Sequence, residues 1–135
     1  MIETIVKNRV SKKALWTGRI LSALPVLLFL FTASFTFLKP EVAMQGFAHY
    51  GYPPNSALRI VIVEVACAVV YAIPQTSVLG AILMTGYLGG ATATHVRAGE
   101  PFYLPIIVGI VLWLGLFLRD QRLRALLPLP TPDTK

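Results

Sequence analysis

At 135 residues the chain has room for one domain. Hydrophobic residues make up 56% of it and charged residues 13%, against about 25% charge in soluble domains, a balance that excludes an ordinary soluble domain. The net charge of +6 is concentrated at the two chain ends, where membrane helices carry their flanking cations, so the implied partner is a lipid bilayer and not nucleic acid.

Residues 1–19 carry Lys7, Arg9, Lys12, Lys13 and Arg19 against one acid, Glu3. With Ile2, Ile5, Val6 and Val10 they admit two readings, a short amphipathic helix on an anionic membrane surface or a frayed basic tail. The apolar run from Ile20 to Leu38 is 19 residues long and no small-x-small cleavage site closes it, so it reads as a retained span rather than a signal peptide. Its length of about 28 Å matches one hydrocarbon core. Pro25 lies in its inner half, where a membrane helix tolerates a kink. Thr32, Ser34 and Thr36 cluster in its outer half.

Residues 39–56 form the one long loop, with Lys39-Pro40 ending the span and Gly51, Pro53 and Pro54 marking turns. Val42 to Tyr50 are expected as a short interfacial helix, with Phe47, Tyr50 and Tyr52 at headgroup depth. Asn55 or Ser56 is placed to cap the next helix. A second span covers 57–73 and holds Arg59 and Glu64. The tight turn Pro74-Gln75-Thr76-Ser77 returns the chain into a third span, 78–95, so these two are antiparallel neighbours. A fourth span, 102–118, has Pro105 in its first turn, where proline is harmless. A basic, then Pro-rich, tail follows over 119–135.

The cations set the topology. Five Lys/Arg precede the first span and Arg119, Arg122 and Arg124 follow the last, while the loop at 39–56 has only Lys39 and that near 96–101 only Arg97. The positive-inside rule puts both termini in the cytoplasm, which requires an even number of spans, and four satisfy it. The predicted fold is all-α, a four-transmembrane-helix antiparallel bundle over residues 20–118.

The third span is the helix around which the rest is arranged. Its Leu79–Arg97 stretch is rich in small residues, and Gly86 with Gly90 forms a G-x-x-x-G pair. Gly86, Gly89 and Gly90 are therefore expected to admit a neighbouring helix at close range. Tyr87, Ala91 and His95, spaced by four, place polar groups beside that contact.

The hairpin turn sets relative depth. Glu64 falls level with Tyr87 and Arg59 level with Thr92, one turn from His95; Thr32 of the first span lies at similar depth. The outer half of the bundle thus collects Glu64, Tyr87, Thr32, Thr36, Arg59 and His95, while the inner half holds little that is polar beyond Cys67 and Tyr71. An ionisable group inside a span costs about 2.5 kcal/mol or more, and so faces the bundle interior with a partner. Two roles for Glu64 remain open: it lines a small outward-facing pocket with Tyr87 as hydrogen-bond partner, or it ties helices together. Arg59 is about 140° around the helix from Glu64, so a direct pair is not assured. Neither spacing nor a supporting carboxylate pattern argues for a haem or metal site on His49 and His95. Cys67, the single cysteine, reads as a small buried hydrophobe.

The segment EVACAVVYAIPQTSVLGAILMTGYLGGATATHVRAGEP, the loop GFAHYGYPPN and the ending LWLGLFLRDQRLRALLP resemble the DoxX-like family of small bacterial membrane proteins. The resemblance covers roughly residues 15–128. It implies a four-helix fold in the bacterial cytoplasmic (inner) membrane and a redox- or quinone-associated role. The broader DoxX group includes a subunit of an archaeal thiosulfate:quinone oxidoreductase and a component linked to thiol and oxidative stress defence. One cysteine supplies no dithiol couple, so thiol chemistry requires a redox partner protein. On this reading a quinone sits in the outer pocket, with Tyr87 and His95 bonding its head group and Glu64 exchanging a proton. The alternative is a non-enzymatic bundle, a small-solute transporter or an assembly subunit, the former requiring a homo-oligomer for internal volume.

Overall fold

The computed structural model describes residues 10–127; the amphipathic helix expected of Ile2, Ile5 and Val6 and the tail beyond residue 127 lie outside them. Six helices form among the described residues: α1 Lys12–Leu38, α2 Pro40–His49, α3 Ser56–Ala72, α4 Ser77–Ala98, α5 Tyr103–Arg119 and α6 Gln121–Leu126. No strand is present among the described residues.

α1 begins eight residues before the expected span. The Ser11 hydroxyl accepts the Ala14 N–H at 3.2 Å, satisfying one of the amides left free at a helix start. Lys12, Lys13, Ala14 and Leu15 are good helix formers, so the helix grows backwards through the basic flank. Lys39 breaks it, and Pro40 occupies the first turn of α2, where its missing N–H costs nothing. Gly51 leaves α2 at a φ of 80°. Asn55 precedes α3 at a φ of 71° and makes no side-chain cap, contrary to expectation. Capping needs the extended backbone that aims the side chain at the helix N–H groups, and the left-handed region turns it away.

α1, α3, α4 and α5 pack antiparallel in chain order around a closed ring, with α1 against both α3 and α5. A single stripe of α1, Gly18, Ser22, Pro25, Phe29 and Ala33, faces inwards, and Tyr71, Met84, Leu112 and Leu116 are fully enclosed at the centre. The opposite faces are apolar as well: Leu27, Phe31, Ile62, Ile82, Ile107 and Ile110 are exposed. An apolar coat on all four helices far exceeds what a water-soluble monomer presents. α1 and α4 are long and apolar enough to cross a membrane, and α5 is a shorter apolar helix.

The close helix contacts lie elsewhere than expected. Nothing lies within 4 Å of where a Cβ would stand on Gly86, Gly89 or Gly90, and all three are exposed. Within this chain the tight approaches are at Gly80, pressed on the Tyr71 backbone, and at Gly115, where a methyl group would stand 2.7 Å from the Ser22 nitrogen. G-x-x-x-G spacing fixes which residues share a stripe, but the rotation of the helix about its axis decides whether that stripe meets a neighbour.

Candidate functional site

α1 and α5 touch at Gly18 and Gly115 near the basic end. Towards the other end they border an open cavity of about 640 Å³, whose walls come from α1 to α5. That is a common size for a small-molecule site. Phe29, Phe31 and Phe35 of α1 line one side, Leu104, Pro105 and Val108 of α5 another, and Val42, Ala43, Gly46 and Phe47 of α2 form the end wall. Phe31 and Leu104 are 68% and 63% exposed, so the cavity opens sideways between α1 and α5.

Its polar groups are few and grouped. Glu64, Thr32, Thr36 and Tyr87 line it together. Glu64 is 5% exposed, and the Thr32 hydroxyl donates to its Oε1. The Tyr87 hydroxyl approaches the same carboxyl from α4, while its ring packs 5.1 Å from that of Phe29. The depth expected from the hairpin turn is thus met: Glu64 is level with Tyr87, as Tyr71 is with Gly80.

The Thr32 oxygen also lies 3.1 Å from the Leu28 carbonyl and 3.0 Å from that of Phe29. A hydroxyl has one proton to give and lone pairs to receive another. Facing a carboxylate, Thr32 donates to Glu64; facing a carboxylic acid, it accepts from Glu64 and donates to its own backbone. The pair therefore keeps its hydrogen bonds in both protonation states.

Two further residues expected at this site lie outside it. Arg59 is exposed near the start of α3 and does not line the cavity. His95 turns to the loop end, its Nδ1 2.8 Å from the Ala91 carbonyl and its ring 5.3 Å from Tyr50. There it joins a cluster that ties α2 to the α4–α5 corner. Glu100 accepts from the Tyr50 hydroxyl at 2.6 Å and meets His49 Nε2 at 2.9 Å. Arg97 donates to the Tyr50 carbonyl, and Tyr52 pairs with Thr94 at 2.7 Å.

Gly99 makes this possible. At a φ of 72° it ends α4 with paired bonds, its own N–H to Val96 and that of Glu100 to His95, the glycine-terminated helix end that satisfies otherwise free carbonyls. Glu100 is thereby delivered to Tyr50 and His49. The bond from Tyr50, then that from His49, holds the Glu100 carboxyl below the usual carboxylate range. The same bond pushes the Tyr50 hydroxyl up.

The cavity walls were less legible than its floor. Phe31 with Phe35, and Thr32 with Thr36, recur at helical spacing in the sequence, a stripe that signals one face of α1. Nothing local signals that α2 folds back as a wall. The basic end is also more polar than expected: the Tyr71 hydroxyl donates to the Leu112 carbonyl at 2.7 Å, and Arg119 Nε donates to Ser22 at 2.9 Å.

An all-helical chain with an apolar coat, two helices fit to cross a membrane and a carboxyl kept between helices is a protein of the integral membrane class. More narrowly, the chain belongs to the DoxX-like family, whose family model matches residues 20–117, from early α1 through most of α5. No curated protein and no solved structure matches it.

Proposed function

We propose that this protein is a four-span membrane protein that holds a lipophilic molecule with a hydrogen-bonding head, of the quinone class, as an accessory to membrane redox chemistry. The observation carrying this reading is Glu64 with Thr32 and Tyr87 on the floor of an otherwise apolar cavity. A quinone suits it because its ring and isoprenoid chain match the aromatic and aliphatic walls, while its oxygens need donors at one point. Each electron added to a quinone carbonyl is accompanied by a proton, and Glu64 is placed to exchange one, since its bond with Thr32 survives either state. The electrons come from a redox partner protein, because a lone thiol, Cys67, forms no dithiol couple within the chain.

The bundle sits in the bacterial cytoplasmic membrane with α1, α3, α4 and α5 spanning. Its basic end, where α1 starts and α5 finishes, faces the cytoplasm; α2 lies on the outer surface. The segments then divide as a cytoplasmic lead to residue 19, a membrane domain over 20–118 and a cytoplasmic tail. Single cysteines introduced at residues 13 and 45 in a Cys67→Ala background test this. Labelling of intact cells by an impermeant maleimide at 45 but not at 13 is the expected result.

Binding is tested on the purified protein with a short-chain ubiquinone or menaquinone analogue. Saturable binding that weakens in Glu64→Gln and Tyr87→Phe supports the reading; absence of binding, or binding indifferent to both changes, overturns it. One observation favours assembly as a second reading: the open face at Gly86, Gly89 and Gly90 has the small residues through which membrane helices of separate chains associate. A homo-oligomer that dissociates in Gly86→Leu, with liposome flux measured alongside, distinguishes an assembly subunit or transporter from a redox accessory.

A further inference from the structure

A second cavity lies at the opposite end of the bundle, about 310 Å³ in volume and lined by residues of α1, α3 and α5. Its rim carries Arg19 and Arg119; its floor carries Ser22 and Tyr71; Ala23, Val26 and Leu27 continue it along α1 as an apolar track. We propose that this groove binds one anionic phospholipid, the phosphate between the two guanidinium groups and the upper part of an acyl chain along the track.

Arg119 is held ready for such a ligand. Its Nε donates to Ser22 at 2.9 Å, and its guanidinium carbon stands 5.5 Å from the centre of the Tyr71 ring. The terminal amino groups have no hydrogen-bond partner among the described residues. A guanidinium braced by its Nε and a ring face presents its outer edge for paired bonds to phosphate. Arg19 stacks beside Trp16, with its guanidinium carbon 5.4 Å from the ring centre, and Trp16 is 61% exposed, the setting of an aromatic residue at headgroup depth.

The charge is uncompensated among the described residues. No carboxylate lines the groove, and neither arginine has an ion-pair partner among the described residues. The nearest acid in sequence, Asp120, is engaged by Arg122 and by the amides that start α6. Two cations at the rim of an apolar trough, with Lys12, Lys13, Arg122 and Arg124 nearby in sequence, form an electrostatic complement to a phospholipid anion. Basic pockets between membrane helices take such headgroups.

Fluorescence quenching by brominated lipid tests this, in a Trp113→Phe background so that Trp16 is the reporter. The full-length protein is placed in phosphatidylcholine vesicles containing either brominated phosphatidylglycerol or brominated phosphatidylcholine. Quenching is expected at a lower mole fraction of the anionic lipid, with that preference weakened roughly fivefold by Arg19→Gln and again by Arg119→Gln. Equal quenching by the two lipids, or a preference unchanged by both substitutions, overturns the proposal. Millimolar inorganic phosphate is added as a separate arm. If it abolishes the preference, free phosphate is the ligand and the lipid assignment falls; persistence of the preference supports the lipid. Should Arg119→Gln fail to fold through loss of its bond to Ser22, Arg19→Gln and the trough-filling Val26→Phe carry the test, each expected to reduce the preference.

Discussion

Thr32 of α1 and Glu64 of α3 are joined by a side-chain hydrogen bond that makes α1 a partner to the one acid buried among the described residues. Thr32→Val removes the only proton that Thr32 can donate. A buried polar group left short of a partner costs about 1 to 2 kcal/mol, so thermal unfolding in detergent should fall for this variant. Replacing the whole group, Thr32→Val with Glu64→Leu and Tyr87→Phe, removes the unmet demand and should recover most of that loss. If the triple variant is stable but no longer binds the quinone analogue, the polar group serves the ligand and not merely the fold.

The glycines of α4 should separate sharply. Gly80 lies on the Tyr71 backbone, which cannot yield as a side-chain tip would. Gly80→Leu is therefore expected to destabilise by about 2 to 3 kcal/mol. Gly86→Ala meets open space and improves helix propensity, so the monomer should change by less than about 1 kcal/mol, in the stabilising direction. Unfolding curves in detergent for the two proteins check both statements.

The clasp between α2 and the α4–α5 corner should respond to acid. Glu100 has its carboxyl held below the ordinary value by Tyr50 and His49. A lowered value in the folded state means the contribution is complete above the ordinary carboxylate range, near pH 4, and fades as pH falls through the lowered one. Protection of the amides of residues 40–49, measured against their intrinsic exchange rates, should thus be high at neutral pH and fall in acid. Glu100→Gln should show much of that loosening at neutral pH.

Asp120 begins α6 by accepting the Arg122 N–H at 2.8 Å and that of Leu123 at 3.4 Å. Burial pushes its carboxyl up, but the bonds from Arg122 and these amides outweigh that, and the net shift is downwards. Asp120→Ala should cost about 1 kcal/mol and release α6. Faster exchange over residues 121–126, with Leu123 withdrawn from the core it now joins, is the expected signature.

What the sequence disclosed and what it withheld have separate physical origins. A four-residue turn between two apolar runs fixes relative depth, so the level of Glu64 against Tyr87 could be read directly. Local pattern also placed α3, α4 and α5 within a few residues of their observed bounds. It did not give rotation about each helix axis, which the packing of all neighbours sets jointly. That is why Gly80 and Gly115 carry the contacts assigned to Gly86 and Gly90, and why His95 faces Tyr50 instead of the cavity. The length of α1 was hidden for another reason. A run of lysines marks the limit of the apolar phase, while Ser11 and the helix-forming residues after it mark the limit of the helix, and these boundaries need not coincide.

The sideways mouth between Phe31 and Leu104 changes what a guest must do to arrive. On the proposed reading, a molecule dissolved among acyl chains would slide in along the leaflet without first shedding them for water. Its effective supply is its abundance in the lipid phase, far above its aqueous level. Modest intrinsic attraction then suffices for high occupancy, and departure returns the guest to the same two-dimensional reservoir.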